Sequence, residues 1–261
     1  MSRSILLCPP IFYDVKYSIN PWMKGENVNN ALAMQQWFQL KNTLQHMGIK
    51  IHLIDQHPDL PDMVFTANAG TIKGGDVVLS NFKHPERQNE SAEFEEWFNS
   101  MGYQVHHLDR DMIFEGCGDT VVSGKKMIGG YGFRSNLKGL RGAAETLQLD
   151  LIAVKLKNPQ FYHLDTCFTM LNEELALYYP DAFSKYTVSK LREHFELIPV
   201  DSESAHKFVC NSIVFGEDIL MPAGNDTVAN ILEDYGFKAR LIDTTEFLKS
   251  GGSLQCMALW I

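Results

Sequence analysis

Four stretches of this chain carry side chains suited to nucleophilic or acid–base chemistry. The last is Ser250-Gly251-Gly252-Ser253-Leu254-Gln255-Cys256. A glycine pair lets a backbone approach a ligand closely and turn its amides inward. A thiol beside such a loop is a candidate nucleophile, because the thiolate is the reactive form and local positive charge favours it. His163-Leu164-Asp165 follows the aromatic pair Phe161-Tyr162. In a strand, residues two apart share a face, so this pair is expected to point the same way. Glu115-Gly116-Cys117-Gly118-Asp119 sets two acids around two glycines, between predicted strands at 112–114 and 120–122. Asn68 stands in Phe65-Thr66-Ala67-Asn68-Ala69-Gly70. Taken singly, these are as well read as a core thiol, a structural histidine, solvated turn acids and a turn asparagine. Together they suit a planar cation. Carboxylates hold a guanidinium by bidentate hydrogen bonds, a thiolate attacks its central carbon, and an imidazole moves the protons.

These stretches lie far apart in the chain, so the fold must gather them. They belong to five copies of one short pattern, which end in Asn68, Asp119, Asp165, Asn211 and Cys256, at steps of 51, 46, 46 and 45 residues. A fixed period of this size dictates architecture. Short apolar strands precede the copies at 49–55, 103–109, 150–156, 195–200 and 238–243, and their β-branched and aromatic content favours strand over helix. Hairpins are predicted at Gly74-Gly75, Gly124-Lys125, Asn172-Glu173 and Gly216-Glu217, where glycine or asparagine supplies the positive φ of a two-residue turn. Helices are predicted at 27–47, 90–101, 136–147, 181–194 and 224–236. The first carries an apolar stripe of Leu32, Gln36, Leu40 and Leu44, filled out by Trp37 and Phe38, with Gly48 as a left-handed cap. The second has acidic early turns that complement its dipole, and Gly102 beyond its end. The fifth copy has one strand left, SLQCMALWI, and the N-terminal SILLCPP is its expected partner. The expectation is one α/β domain over residues 1–261, built of five ββαβ modules around a pseudo-fivefold axis, with helices outside and strand ends inside. A generic α/β domain with accidental spacing is the plain alternative.

Composition narrows the function classes. A chain of 261 residues buries roughly 70–75% of its unfolded surface without a disulfide or metal staple. The net charge of −9 argues against nucleic acid, whose readers carry basic patches, and mildly favours a cationic small substrate. No apolar run approaches the ~20 residues that span a bilayer, and the opening MSRSILLCPP does not read as a secretory signal. Five cysteines without paired spacing predict reduced thiols and a cytoplasmic setting. Cys8 and Cys210 read as core, while Cys117 and Cys167 lie within the motifs and could flank the site. No zinc pattern occurs, and no glycine-rich phosphate loop precedes a helix, so neither metal nor cofactor is expected.

The segment Phe114–Asp119, the pair His163-x-Asp165 and the late Cys256 after a glycine pair resemble, in that order, the guanidine-modifying enzymes of the pentein superfamily. These include arginine deiminase, dimethylarginine dimethylaminohydrolase and the amidinotransferases. A closer resemblance runs nearly end to end, through YDVKYSINPWMKG (13–25), PDMVFTANAG (61–70), HPERQ (84–88), YGFRS (131–135), FYHLDTCF (161–168) and TEFLKSGG (245–252). These stretches are similar to the arginine dihydrolase branch, which converts arginine to ornithine, carbon dioxide and two ammonia molecules. The resemblance implies a five-bladed α/β propeller with Cys256 as nucleophile, His163 as proton carrier and Glu115 orienting it. It also implies that Asp165 and Asn68 hold the guanidino nitrogens, that Asp119 supports the loop or the substrate's far end, and that Asn20, Arg87 and Arg134 clamp the amino-acid end. Arg87 and Arg134 suit a carboxylate by fork geometry, with surface ion pairing as the plain alternative. Deiminases have an acid where this chain has Asn68. An amide both donates and accepts, and should tolerate the neutral ureido group of citrulline. A single-round deiminase or dimethylarginine hydrolase, an amidinotransferase and a non-enzymatic binding module remain as alternatives. The oligomeric state, a homo-oligomer included, stays open.

Overall fold

The computed structural model describes residues 4–261. Their strands form five three-stranded sheets of one plan. In chain order the strands are β1 Ser4–Leu7, β2 Lys50–Leu53, β3 Gly70–Lys73, β4 Asp76–Leu79, β5 Gln104–His106, β6 Thr120–Ser123, β7 Lys126–Tyr131, β8 Asp150–Lys155, β9 Phe168–Met170, β10 Leu175–Tyr178, β11 Glu196–Pro199, β12 Ile213–Phe215, β13 Asp218–Pro222, β14 Lys238–Ile242 and β15 Leu259–Trp260. Each sheet joins an antiparallel pair to a parallel one, as in β3-β4-β5, where Thr71 faces Val78 and Val77 faces Val105. Parallel neighbours need a crossover. Helices Asn30–His46, Glu90–Ser100, Leu137–Thr146, Lys185–Arg192 and Asp226–Asp234 supply the five crossovers, inside the five predicted helical stretches. The fifth sheet closes as expected: β15 runs antiparallel to β1, with Ile5 opposite Trp260 and Leu6 opposite Leu259. Among the described residues no helix is long and apolar enough to cross a membrane.

Local chemistry explains the elements. The first crossover helix is capped by Asn29, whose side chain accepts from Leu32 N at 3.1 Å, and it ends before Gly48 at φ +79. Its buried face is Ala33, Trp37, Leu40 and Leu44 with Gln36. Phe38, expected in the stripe, is 46% exposed, because it lies a further ~100° round the helix from Trp37. Three hairpins turn through Gly74, Gly124 and Gly216 at φ near +60, with the next residue at negative φ, which is the type II′ pattern. The fourth differs from expectation. Met170 pairs with Ala176, and the Asn172 carboxamide accepts from Glu174 N and Leu175 N, so this loop is longer than two residues.

The five pattern residues stand one to three positions before β3, β6, β9, β12 and β15. Hydrogen bonds join each to its neighbouring module. Asn68 donates to Glu115 O at 3.2 Å, Leu164 N to Asp119 at 3.3 Å, and Asn211 to Asp165 O at 3.1 Å. Cys256 N donates to Asn211 at 3.2 Å, and Ala67 N returns to Cys256 O at 3.0 Å. The series therefore closes on itself, which is how residues 188 positions apart come to share one centre.

Candidate active site

The Cys256 loop is built from glycine outward. Gly251 has φ +80, and a Cβ there would lie 2.9 Å from Asn20 Oδ1. A Cβ on Gly252 would lie 2.3 Å from the Phe65 ring. Only glycine fits either place, and the tight packing fixes the thiol that follows. Cys256 is buried, and its thiol donates to Asp165 Oδ2 at 3.1 Å while accepting from Asn211 Nδ2 at 3.1 Å. Burial, then the Asp165 charge, hold this thiol well above its ordinary range. Burial also pushes the Asp165 carboxyl up to about 7, against hydrogen bonds from Cys256 and Asn211 that pull it down. Asp165 Oδ1 is buried with no hydrogen-bond partner among the described residues.

His163 stands two residues away but belongs to a different network. Its Nε2 lies 2.8 Å from Glu115 Oε2, which also accepts from Arg134 Nη1 at 2.9 Å. The Arg134 guanidinium stacks on Tyr162 at 4.6 Å, and Tyr162 anchors itself to Gly251 O at 2.8 Å. Burial alone would raise Glu115, but Arg134, His163 and Arg87 overcome it and hold this carboxyl well below its ordinary value. Gly116, at φ +56, lets the Glu115 turn sit against Gly70 and Ala67, where a Cβ would fall within 2.7–2.9 Å of backbone atoms. Gly118 opens the same wall. The place a Cβ would take lies 2.1 Å from Asn68 Nδ2 and 3.2 Å from His163 Nδ1, so amide and imidazole meet over this glycine.

Asn20 reaches the site from the loop after β1. It donates to Ser250 O at 2.9 Å and accepts from Trp22 N at 2.9 Å, and Trp22 Nε1 bonds Gln160 O at 2.7 Å. The loop thereby ties the Ser250-Gly251 turn to the segment before His163. The centre as a whole is acidic. Five buried carboxyls, of Asp62, Glu90, Glu115, Asp119 and Asp165, face two buried guanidiniums, of Arg87 and Arg134, and one imidazole. Such an excess favours a cationic occupant.

A family model described as N,N dimethylarginine dimethylhydrolase, eukaryotic, matches residues 16–261. The chain belongs to this family, within the pentein superfamily. It is 41% identical to the bifunctional arginine dihydrolase/ornithine cyclodeaminase ArgZ of Synechocystis, over 98% of this chain and 37% of that protein. The chain thus spans little more than a third of that relative's length. It is 36% identical to an N(G),N(G)-dimethylarginine dimethylaminohydrolase of Mycobacterium tuberculosis, over all of this chain and 86% of that protein. The crystal structure of the N-terminal domain of ArgZ, a cysteine-to-serine variant bound to substrate, superposes with a TM-score of 0.96 at 39% identity, over 99% of this chain and 97% of that one.

Within this family member, the structure brings Asn20, Asn68, Arg87, Glu115, Asp119, Arg134, His163, Asp165 and Cys256 into one buried region. Several local expectations need correction. His163 and Asp165 are not in a strand: Leu164–Thr166 is a 3-10 turn, closed by Thr166 Oγ1 on His163 O at 2.7 Å and Cys167 N on Leu164 O at 3.0 Å. Residues 112–114 form no strand either, and only Phe114 bridges to Asn81. The charged neighbour of the Cys256 thiol is an acid rather than a cation. The Arg87 fork is occupied by Glu90, with Nε to Oε1 at 2.8 Å and Nη2 to Oε2 at 2.7 Å. Its Nη1 donates to Asn68 Oδ1 at 3.0 Å, so the amide oxygen expected to take a guanidino nitrogen is already engaged. Asp119 accepts backbone amides of Ser135 and Leu164 on its two oxygens, which supports the loop, and burial pushes it up to about 6. Sequence reasoning left out Asn211 as a site residue, although its place in the fourth copy was the signal. It also left out Asp62, whose buried carboxyl lies beside Tyr17 and Arg87, and which no periodic signal marks.

Proposed function

We propose that the chain hydrolyses the guanidino group of L-arginine twice, giving ornithine, carbon dioxide and two ammonia molecules with consumption of two waters. The observation that carries this reading is Asp165. One oxygen accepts from the nucleophile's thiol at 3.1 Å, and the other is a buried acceptor with no donor among the described residues. An orphaned buried acceptor costs about 1–3 kcal/mol or more, which a guanidinium N–H recovers. The likeness to a dihydrolase domain bound to its substrate supports the same choice. On this reading the five modules are the blades of an α/β propeller around a pseudo-fivefold axis. Residues 1–261 are one catalytic domain of a cytoplasmic enzyme, and its five free cysteines fit a reducing compartment.

The guanidinium cation settles against Asp165 and offsets the burial and the Asp165 charge that together keep the thiol protonated. As Cys256 attacks the guanidino carbon its thiol proton passes to His163, which gives it to the departing ammonia. His163 then takes a proton from the water that cleaves the thiouronium adduct, releasing citrulline within the site and restoring the thiol. A second attack expels the second ammonia and leaves a carbamoyl thioester, and water converts this to a carbamate that loses carbon dioxide. Glu115 and Arg134 hold the imidazole for both rounds. At the amino-acid end Asp62 suits the ammonium group and Arg134 the carboxylate, with Asn20 closing that side. The test is product analysis. L-arginine should give two ammonia per ornithine, and Asn68→Asp should shift the product to citrulline with one ammonia. Ornithine as the persistent product of that variant would remove the role given to the amide. A dimethylarginine hydrolase is the second reading, favoured by the match to the mycobacterial enzyme along the whole chain. It would show as dimethylamine release in preference to ammonia.

A further inference from the structure

We infer that Glu90 is a positioning residue: acting through Arg87, it fixes the Asn68 amide as a pure hydrogen-bond donor toward the reacting centre, and this donor carries the neutral ureido intermediate into the second hydrolysis. The inference rests on the two-round reading above. Glu90 opens the helix Glu90–Ser100, where an acid is ordinarily a solvated partner of the helix dipole. Here it is fully buried, because it shares the i, i+4 stripe of Phe94 and Phe98 that faces the core. The helix thus delivers a carboxylate inward, and that carboxylate takes both prongs of Arg87. Phe82 stacks on the guanidinium at 4.7 Å, and Asp62 O accepts from Nη2 at 3.2 Å. These contacts leave the guanidinium one orientation, in which Nη1 reaches Asn68 Oδ1 at 3.0 Å.

The two ends of the Asn68 amide are then assigned by chemistry. A guanidinium can only donate, so the group facing it is the oxygen, and a backbone carbonyl can only accept, so the group facing Glu115 O is the NH2. The NH2 has two hydrogens and gives one to Glu115 O. It lies over Gly118 beside His163 Nδ1, where no side chain intervenes. The two rounds of hydrolysis differ in what they need at this place. A guanidinium offers only N–H groups, which Asp165 can accept. A ureido group presents an oxygen, which becomes an oxyanion on attack and needs a donor held ready for it. A flipped amide would present its oxygen and oppose that charge. Glu115 O already disfavours the flip, and the Glu90–Arg87 pair fixes the other end of the amide as well.

The experiment compares kcat/KM for L-arginine and for added L-citrulline in wild type and in Glu90→Gln, with folding checked by circular dichroism. The near-isosteric variant keeps the volume but loses the charged fork. Citrulline hydrolysis should fall about 10-fold or more relative to the first arginine step, as expected for a lost charge-assisted contact, and citrulline should accumulate. In an Asn68→Asp background the same change should add nothing to the ratio. Equal loss on both substrates, or no change in their ratio, would overturn the inference. If Glu90→Gln does not fold, Arg87→Lys decides by the same ratio, because arginine and citrulline share their amino-acid end and only the ureido arm reports the amide. Wild-type enzyme that turns L-arginine into citrulline with one ammonia would overturn the two-round reading itself, and this is seen before any variant is made.

Discussion

The two halves of the site contain the same kind of acid in opposite states. On one side Glu115 lies between Arg134 and His163, and the Arg134 charge with the His163 hydrogen bond holds it ionised despite full burial. On the other side Asp165 is equally buried but has only a thiol and a carboxamide for company, and it is pushed up to about 7. Burial is common to both, so the difference is the presence of a cation. The Glu115 half has its charge partner within the protein, and the Asp165 half has none among the described residues. On the proposed reading, the thiol in the second half stays protonated until a cationic substrate arrives, which couples activation to binding.

The largest expected effect breaks both halves at the chemistry. Cys256→Ser and His163→Ala should each lower kcat on arginine by about 10⁴-fold or more, measured as ammonia release, with the fold retained. Glu115→Ala should show how far the first half depends on its acid for stability. It leaves Arg134 buried without its charge partner and should cost about 3–5 kcal/mol in urea unfolding. Asp165→Asn sharpens the contrast, because its two readouts move in opposite directions. Arginine turnover should fall about 10²-fold or more, while alkylation of Cys256 by iodoacetamide should speed up, since burial remains but the Asp165 charge that adds to it in holding the thiol protonated is gone.

The smallest effect is in pH dependence. Asp165 titrates at about 7 in the fold against an ordinary 3.8, so its contribution to stability is full below pH 3.8 and lost as pH rises to about 7. Glu115 is depressed below its ordinary 4.5, so its contribution is present above that pH and lost as pH falls below it. Relative to wild type, Asp165→Asn should therefore gain Tm between pH 4 and 7, whereas the deficit of Glu115→Ala should shrink on acidification.

The module plan was legible because it is periodic. Strands, crossover helices and glycine turns recur with the copies, and the pairing of β1 with β15 follows from counting what the fifth copy lacks. The centre was legible in the residues that end each copy. What escaped was contact chemistry without a period. Glu90 reads as a dipole acid until the helix face is known, and Arg87 reads as a substrate clamp until Glu90 is seen in its fork. The 3-10 turn at Leu164–Thr166 depends on a threonine hydroxyl closing on its own backbone, which no alternation pattern records. Asn211 was visible as the fourth copy's end, but only geometry placed its NH2 on the Cys256 sulfur.

The most direct measurement is acid quenching of the enzyme during turnover of L-arginine, followed by peptide mass spectrometry of all five cysteines. A thiouronium or carbamoyl adduct should appear on the peptide bearing Cys256 and decay as product forms. Sustained hydrolysis with Cys256 unmodified throughout, or an adduct on Cys117 or Cys167 instead, would contradict the account.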